Sequence, residues 1–158
     1  MRTEARVGPT RIGFTVCLLA VLTLLTLSVG SPAVSAKEPD VIVVQHILIG
    51  FKKTVPDKPQ DRTKREARAL VDELVERAES GEDFDAMVEE YTNDNYPGIY
   101  KLTNTYTDAP DLPDARRRDQ MVAAFGDAAF RLEVGEIGLA KYNAINSPYG
   151  WHIIKRVE

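Results

Sequence analysis

Two β-branched, apolar runs stand at opposite ends of the globular part of this chain, and each is interrupted by a histidine. Residues 41–51 read VIVVQHILIGF, with Gln45 and His46 as the only polar breaks. Residues 151–157 read WHIIKRV, with His152 in second place. Runs of this kind predict strands buried on both faces, hence central in a sheet. His46 and His152 are the only histidines in the 158 residues. Two imidazoles in central strands are a constraint, because a buried ring nitrogen needs a partner.

Between these strands the pattern changes to helical. Thr63-Lys-Arg-Glu66 matches a capping box. Ala67, Leu70, Val71, Leu74, Val75 and Ala78 follow at i, i+3, i+4 spacing, one buried stripe. Gly81 suits the position just past a helix end. Asp83 is a candidate N-cap for a second helix carrying Phe84, Met87, Val88 and Tyr91. From Thr92 to Asp119 Asn, Asp, Pro and Thr accumulate, which predicts a long loop with a short strand at Ile99–Thr103. Met121–Leu132 returns to helix formers, with Gly126 expected to divide two short helices. A strand is expected over Gly138–Tyr142, and NSPYG is a turn into the last strand. Terminal strands around a helical middle predict an α+β domain with a small, mainly antiparallel sheet.

The first 36 residues have a different character. Arg2, Arg6 and Arg11 precede an uncharged apolar stretch, and Val34 and Ala36 supply small residues just before Lys37. This is the order of a secretory signal peptide. The alternative is an uncleaved membrane anchor, although the apolar run is short for a full span. We therefore expect residues 1–36 to direct export, to the periplasm or outside the cell, and residues 37–158 to form the domain. Any membrane contact would be through the N-terminal segment. Cys17, the only cysteine, lies within the apolar stretch between Val16 and Leu18, not the small-residue setting of a lipid-attachment site. The remaining segment of about 120 residues is a usual single-domain size. It offers no disulfide, thiolate nucleophile or cysteine metal site. The chain carries a net charge of −4, and removing 1–36 takes away three Arg and one Glu to leave −6. That balance argues against broad nucleic-acid binding. Arg116, Arg117 and Arg118 lie among Asp111, Asp114 and Asp119, and read as a solvated run with local salt bridges.

Four segments in order carry a resemblance: QHILI, GEDFDAMVEEYT, MVAAFGDAAFRLEVGEIG and SPYGWHIIKR. Together, over residues 41–158, they resemble the parvulin family of peptidyl-prolyl cis/trans isomerases. The resemblance implies a four-stranded antiparallel sheet surrounded by about three to four helices. It implies that the first and last strands are central neighbours, placing His46 and His152 under the active site, joined through hydrogen bonds. Ser147 would hydrogen-bond the second imidazole. Met121 and Phe125 would form the proline pocket, with Tyr149 beside them. Asp94 occupies the position of a family Cys or Asp near the substrate amide. The resemblance further implies proline-containing unfolded or extended polypeptides as partners, a role in protein folding, and no metal or other cofactor.

Read without the resemblance, the same residues have plainer roles. Two buried histidines can hold a sheet in register. Met121 and Phe125, four apart, suit a core stripe on one helix face. Asp94 between two Asn suits a turn. The chain also departs from the family pattern. The usual GG-x-LG segment is replaced by PGIYKLTN, leaving Gly98 as its relic and Ile99, Tyr100 or Leu102 to stand in for its leucine. The following loop, to Asp119, is longer and more acidic. Lys52 and Lys53 follow the first strand, but exposed lysines in a loop do not predict phosphate specificity. A catalytically weak or inactive peptide-binding or chaperone module is thus the alternative to an isomerase.

Overall fold

The computed structural model describes residues 37–105 and 112–158. The expected signal segment 1–36 lies outside the described residues, as does 106–111 within the acidic loop. In chain order the elements are β1 (Val41–Ile49), α1 (Lys64–Glu79), α2 (Phe84–Tyr91), β2 (Ile99–Thr103), β3 (Ala115–Arg117), a 3-10 turn (Arg118–Gln120), α3 (Ala123–Ala129), β4 (Ile137–Ala140) and β5 (Trp151–Arg156). The sheet order is β3-β2-β1-β5-β4. β1 pairs antiparallel with both β2 and β5, and β4 pairs antiparallel with β5.

The architecture is the expected α+β one, with one strand more than the four implied. β3 runs parallel to β2 at the sheet edge, matching Lys101–Thr103 with Ala115–Arg117. Its sequence, Ala-Arg-Arg, has no apolar alternation. Its pairing comes from main-chain position alone, which is why it read as loop.

Both local helix starts form as read. Thr63 Oγ1 accepts the Glu66 N–H at 3.3 Å, and the Thr63 N–H donates to the Glu66 carboxylate at 2.7 Å. Asp83 Oδ1 accepts the N–H groups of Asp85 and Ala86. Ala67, Val71, Leu74 and Ala78 are buried from α1, and Phe84, Met87 and Val88 from α2. They meet Ile47, Ile49, Trp151 and Ile153 on one face of the sheet. On the other face Phe125, Ala129 and Phe130 pack with Ile42, Val44, Leu102 and Ile154.

The third helix differs from expectation. Gly126 does not divide it: α3 continues through it. A Cβ at Gly126 would fall 2.8 Å from Arg118 Cγ, so the missing side chain lets the arginine cross the helix. Arg118 bridges Glu38 and Asp127 from there, and Arg117 pairs with Asp119, as the reading of local salt bridges anticipated. Met121 is not on the helix. It follows the 3-10 turn in extended conformation (φ −89°, ψ 161°), so Met121 and Phe125 do not share a helix face.

Candidate active site

The register of the central pair brings the two histidines together. β1–β5 pairing sets His46 opposite Ile154 and Leu48 opposite His152, so the imidazoles are diagonal neighbours on one face. Their ring centroids are 5.5 Å apart. Phe125 from α3 meets both rings edge-on, at 5.1 Å from His46 and 5.3 Å from His152. Both imidazoles are buried, at 1% and 6% exposure.

Asp94 is brought to His46 by the segment after α2. Thr92 Oγ1 accepts the Leu48 N–H, the Asn93 N–H donates to Leu48 O at 2.8 Å, and Asn93 Oδ1 accepts the Gly50 N–H. These bonds fix the segment on the end of β1. Asp94 then forms its turn, accepting the Asn95 N–H on Oδ1 at 2.8 Å. Its Oδ2 faces His46 Nε2 at 3.2 Å and accepts the Tyr100 hydroxyl at 2.9 Å. One oxygen thus serves the turn and the other faces His46 and Tyr100. The His46–Asp94 contact is close but off the line of a hydrogen bond. It is the main influence holding the Asp94 carboxyl below the ordinary range. Burial opposes it, and the bonds from Asn95 and Tyr100 assist.

The other side of His46 meets main chain. Gly98 O accepts both the His46 N–H (3.0 Å) and His46 Nδ1–H (3.1 Å). An acceptor at Nδ1 requires the proton there. Gly98 has φ +65°, and a Cβ on it would lie 2.7 Å from His46 O. The relic of the glycine-rich segment thus has two reasons to be glycine: a left-handed backbone and contact with β1.

The expected hydrogen-bonded chain beyond His46 does not form. Neither ring nitrogen of His152 has a partner among the described residues. Ser147 does not supply one, because its hydroxyl donates to Gly150 O at 2.8 Å, closing the turn that enters β5. Burial, followed by the neighbouring His46, pushes the His152 pKa down to about 3. His152 is therefore a neutral ring at ordinary pH.

Above this base lies an open cavity of about 460 Å³. Of the seven residues expected at the site, His46, Asp94, Met121, Phe125, Tyr149 and His152 line it, and Ser147 does not. Tyr149 is 44% exposed at its rim, whereas Phe125 is 1% exposed and belongs to floor and core alike.

Tyr100 resolves the choice among three candidates for the missing leucine. β1–β2 pairing sets Val44 opposite Tyr100 and Ile42 opposite Leu102. Tyr100 stacks on His46 (5.1 Å, 24°) and lines the cavity. Leu102 is buried with Phe125 in the core, and Ile99 is half-exposed. Strand alternation turns Ile99 to the other face, and position along β1 separates Tyr100 from Leu102 on the shared one. Burial, then the bond to Asp94, pushes the Tyr100 hydroxyl up to about 12. Arg116 was missed as a cavity residue. Its guanidinium lies over the Tyr100 ring at 4.7 Å, and the signal that placed it there was the unread strand β3. Among the described residues, no group of three or more His, Cys, Asp or Glu side chains could hold a metal ion.

Comparison with known proteins shows the family and the fold. The family model for a PPIC-type PPIASE domain matches residues 33–158. Chaperone SurA of Chromohalobacter salexigens is 34% identical over 112 residues, covering 71% of this chain and 21% of the relative. Foldase protein PrsA 4 of Bacillus cereus is 31% identical over 113 residues, covering 71% and 30%. Foldase protein PrsA of Bacillus subtilis is 27% identical over 117 residues, covering 74% and 30%. The matches thus span only 21% to 30% of these relatives' length. The solution structure of TbPIN1 shares the fold, with a TM-score of 0.55 at 20% identity over 76% of this chain and 99% of that one. The chain belongs to the PPIC-type peptidyl-prolyl cis/trans isomerase family, the parvulin-type rotamases.

Proposed function

We propose that this protein catalyses cis/trans interconversion of X–Pro bonds in polypeptides outside the cytoplasm and thereby assists their folding. The observation that carries the reading is the cavity itself, which sets apolar Phe125 and Met121 beside the His46–Asp94 pair. The reaction breaks no covalent bond. Its barrier, roughly 18–20 kcal/mol, is the lost C–N resonance of a twisted amide. Catalysis requires a holder for the proline ring and surroundings that favour the twisted form over the planar one. Phe125, Met121 and Tyr149 would hold the ring and exclude water from one side of the amide. Asp94, kept ionised, and His46 would face the carbonyl and nitrogen as charge redistributes between them. His152, neutral and buried, would support His46 from below, and Ser147 would shape the turn that carries Tyr149. No cofactor enters this scheme.

Residues 1–36 would deliver the domain across a membrane, with 37–158 as the working part. The names chaperone and foldase, carried by the relatives, fit a partner that is an unfolded or extended proline-containing chain. A second reading is a peptide-binding module with little isomerase activity. The altered segment after Asp94 favours it, because the usual glycine-rich wall is replaced by PGIYKLTN.

Exchange NMR on X–Pro peptides with the purified protein decides between them. The isomerase reading expects catalysed exchange that falls in folded His46→Ala and Asp94→Asn variants. Peptide binding without exchange, for acidic, apolar and basic X alike, would establish the module instead. Export is checked separately by fusing residues 1–36 to a phosphatase active only outside the cytoplasm. A silent fusion would remove that part of the proposal.

A further inference from the structure

The face of the sheet away from the cavity carries a polar cluster that the reaction scheme does not use. Strand alternation turns Gln45 to that face, while its neighbour His46 lines the cavity. Gln45 is buried, and its Nε2 donates to Asp85 Oδ1 at 2.6 Å and to Pro97 O at 3.0 Å. Asp85 stands in the first turn of α2, and its other oxygen accepts the Tyr96 hydroxyl at 2.9 Å. None of Gln45, Asp85 and Tyr96 lines the cavity. One carboxylate therefore ties together β1, α2 and the turn that precedes β2.

The turn held in this way is the one that sets the His46 ring. Gln45 and Ile99 are the last matched pair of β1 and β2, so Pro97 and Gly98 lie just past the ladder. Gly98 O accepts His46 Nδ1–H at 3.1 Å, which keeps the proton on that nitrogen and leaves Nε2 towards Asp94 at 3.2 Å. An acceptor of this kind fixes tautomer and ring orientation only while it stays in place. Main chain supplies part of the restraint, through the His46 N–H to Gly98 O and the Gly98 N–H to Asn95 O. Side chains supply the rest. Tyr96 and Pro97, the two residues before Gly98, are each tied to the Gln45–Asp85 pair. Tyr96 is half-exposed, so the carboxylate is what orders its ring.

We propose that Asp85, acting through Gln45 and Tyr96, is a positioning residue for His46 from the opposite face of the sheet. Its carboxylate holds the Tyr96–Gly98 turn, and the turn holds the imidazole in the tautomer and orientation that the cavity uses. This rests on the isomerase reading of the same cavity. Asp85 touches neither the ring nor a bound peptide, so its loss should spare substrate binding and lower the rate of the catalysed step.

The test compares two substitutions. Asp85→Ala removes both bonds. Asp85→Asn keeps an acceptor for Gln45 and can donate its amide to the Tyr96 oxygen. Both lose the charge that an acid in the first turn of a helix contributes, so only the clamp separates them. Catalysed exchange of one X–Pro peptide should fall about three- to tenfold in Asp85→Ala, the rate equivalent of one hydrogen bond. The fall should lie in kcat, with KM unchanged within about twofold. Asp85→Asn should recover most of it. Ring 15N shifts at pH 8, where an ordinary imidazole is neutral, read His46 directly. The proton should sit on Nδ1 in wild type and Asp85→Asn, and shift in part to Nε2 in Asp85→Ala. Gln45→Met keeps bulk and loses the donor. It should match Asp85→Ala, and the double variant should be no worse than either, because both act on one path. Equal losses in Asp85→Asn and Asp85→Ala would reduce the carboxylate to helix-end charge and overturn the proposal. So would an unchanged His46 ring in folded Asp85→Ala. Should wild type catalyse nothing, the isomerase reading fails on its own, and the ring shifts still decide whether Asp85 holds the His46 tautomer.

Discussion

Helices α1 and α2 cover one face of the sheet and α3 covers part of the other, and the two faces bury different things. On the first, alternate residues of β1 and β5 are Ile47, Ile49, Trp151 and Ile153, closed over by apolar helix stripes. Gln45, a buried polar residue on this face, is satisfied by Asp85 of α2 and Pro97 O. On the second face the same strands present Val44, His46, Leu48, His152 and Ile154, and α3 is only seven residues long. A short helix cannot cover the face, and the cavity opens where cover ends. One face therefore spends its residues on stability. The other gives up dry packing to hold polar rings at the edge of water, and stored imperfection of that kind gathers at working sites.

Phe125→Ala should break the contrast most severely, because this ring serves both core and cavity. We expect about 3–5 kcal/mol of lost stability for a buried phenylalanine, and kcat/KM reduced by at least about 30-fold through lost proline contact. Denaturant unfolding and peptide exchange on the same preparation measure the two losses. Leu74→Ala, on the fully covered face, should cost about 2–5 kcal/mol. Peptide exchange well below its melting temperature should stay at wild-type level. A large fall in exchange with Leu74→Ala would mean that the faces are not separable.

The next effect is in pH. His152 has a folded pKa of about 3, below the ordinary value near 6.5. In acid the unfolded chain takes up this proton before the folded one does. Stability is therefore full above about pH 6.5 and is lost as pH falls towards the folded pKa, by up to about 1.4 kcal/mol per unit. At pH 5 that amounts to about 2 kcal/mol. His152→Leu should flatten the slope between pH 6.5 and 4, read from urea midpoints at half-unit intervals. An unchanged slope would place the acid sensitivity elsewhere.

The two faces were not equally legible. The α1 stripe, the Thr63 and Asp83 caps and the central strands depend on neighbours within a few residues, so their spacing announced them. The pairing of His46 with His152 followed from two such strands once the resemblance set them side by side. The cavity wall depends instead on segments 92–103 and 112–121, whose places come from long-range register. Tyr100 could be told from Ile99 and Leu102 only by knowing which residue of β1 it faces. Arg116 sits in a strand without pattern. Ser147 was misassigned because a serine before a turn has a local acceptor, Gly150 O, that competes with the distant imidazole. Residues 1–36 contribute composition to the reading and lie outside the described structure.

Tyr100→Phe is the finest test of that unread wall. It keeps the ring on His46 and removes only the hydroxyl that donates to Asp94. Because Asp94 is partly open to water, the expected cost is about 1 kcal/mol, below that of a fully buried charged bond. The depressed Asp94 carboxyl contributes stability above its ordinary value near 3.9, and that contribution is lost as pH falls through the lower folded value. The gap between wild type and Tyr100→Phe should therefore be full at pH 7 and narrow below about pH 4. Exchange catalysis should fall about fivefold as Asp94 loses one of its restraints, the rate equivalent of about 1 kcal/mol. A loss of stability that ignores pH would make the hydroxyl mere packing. A pH-dependent gap with unchanged catalysis would keep the bond but remove Asp94 from the reaction, leaving the apolar floor and His46 to do the work.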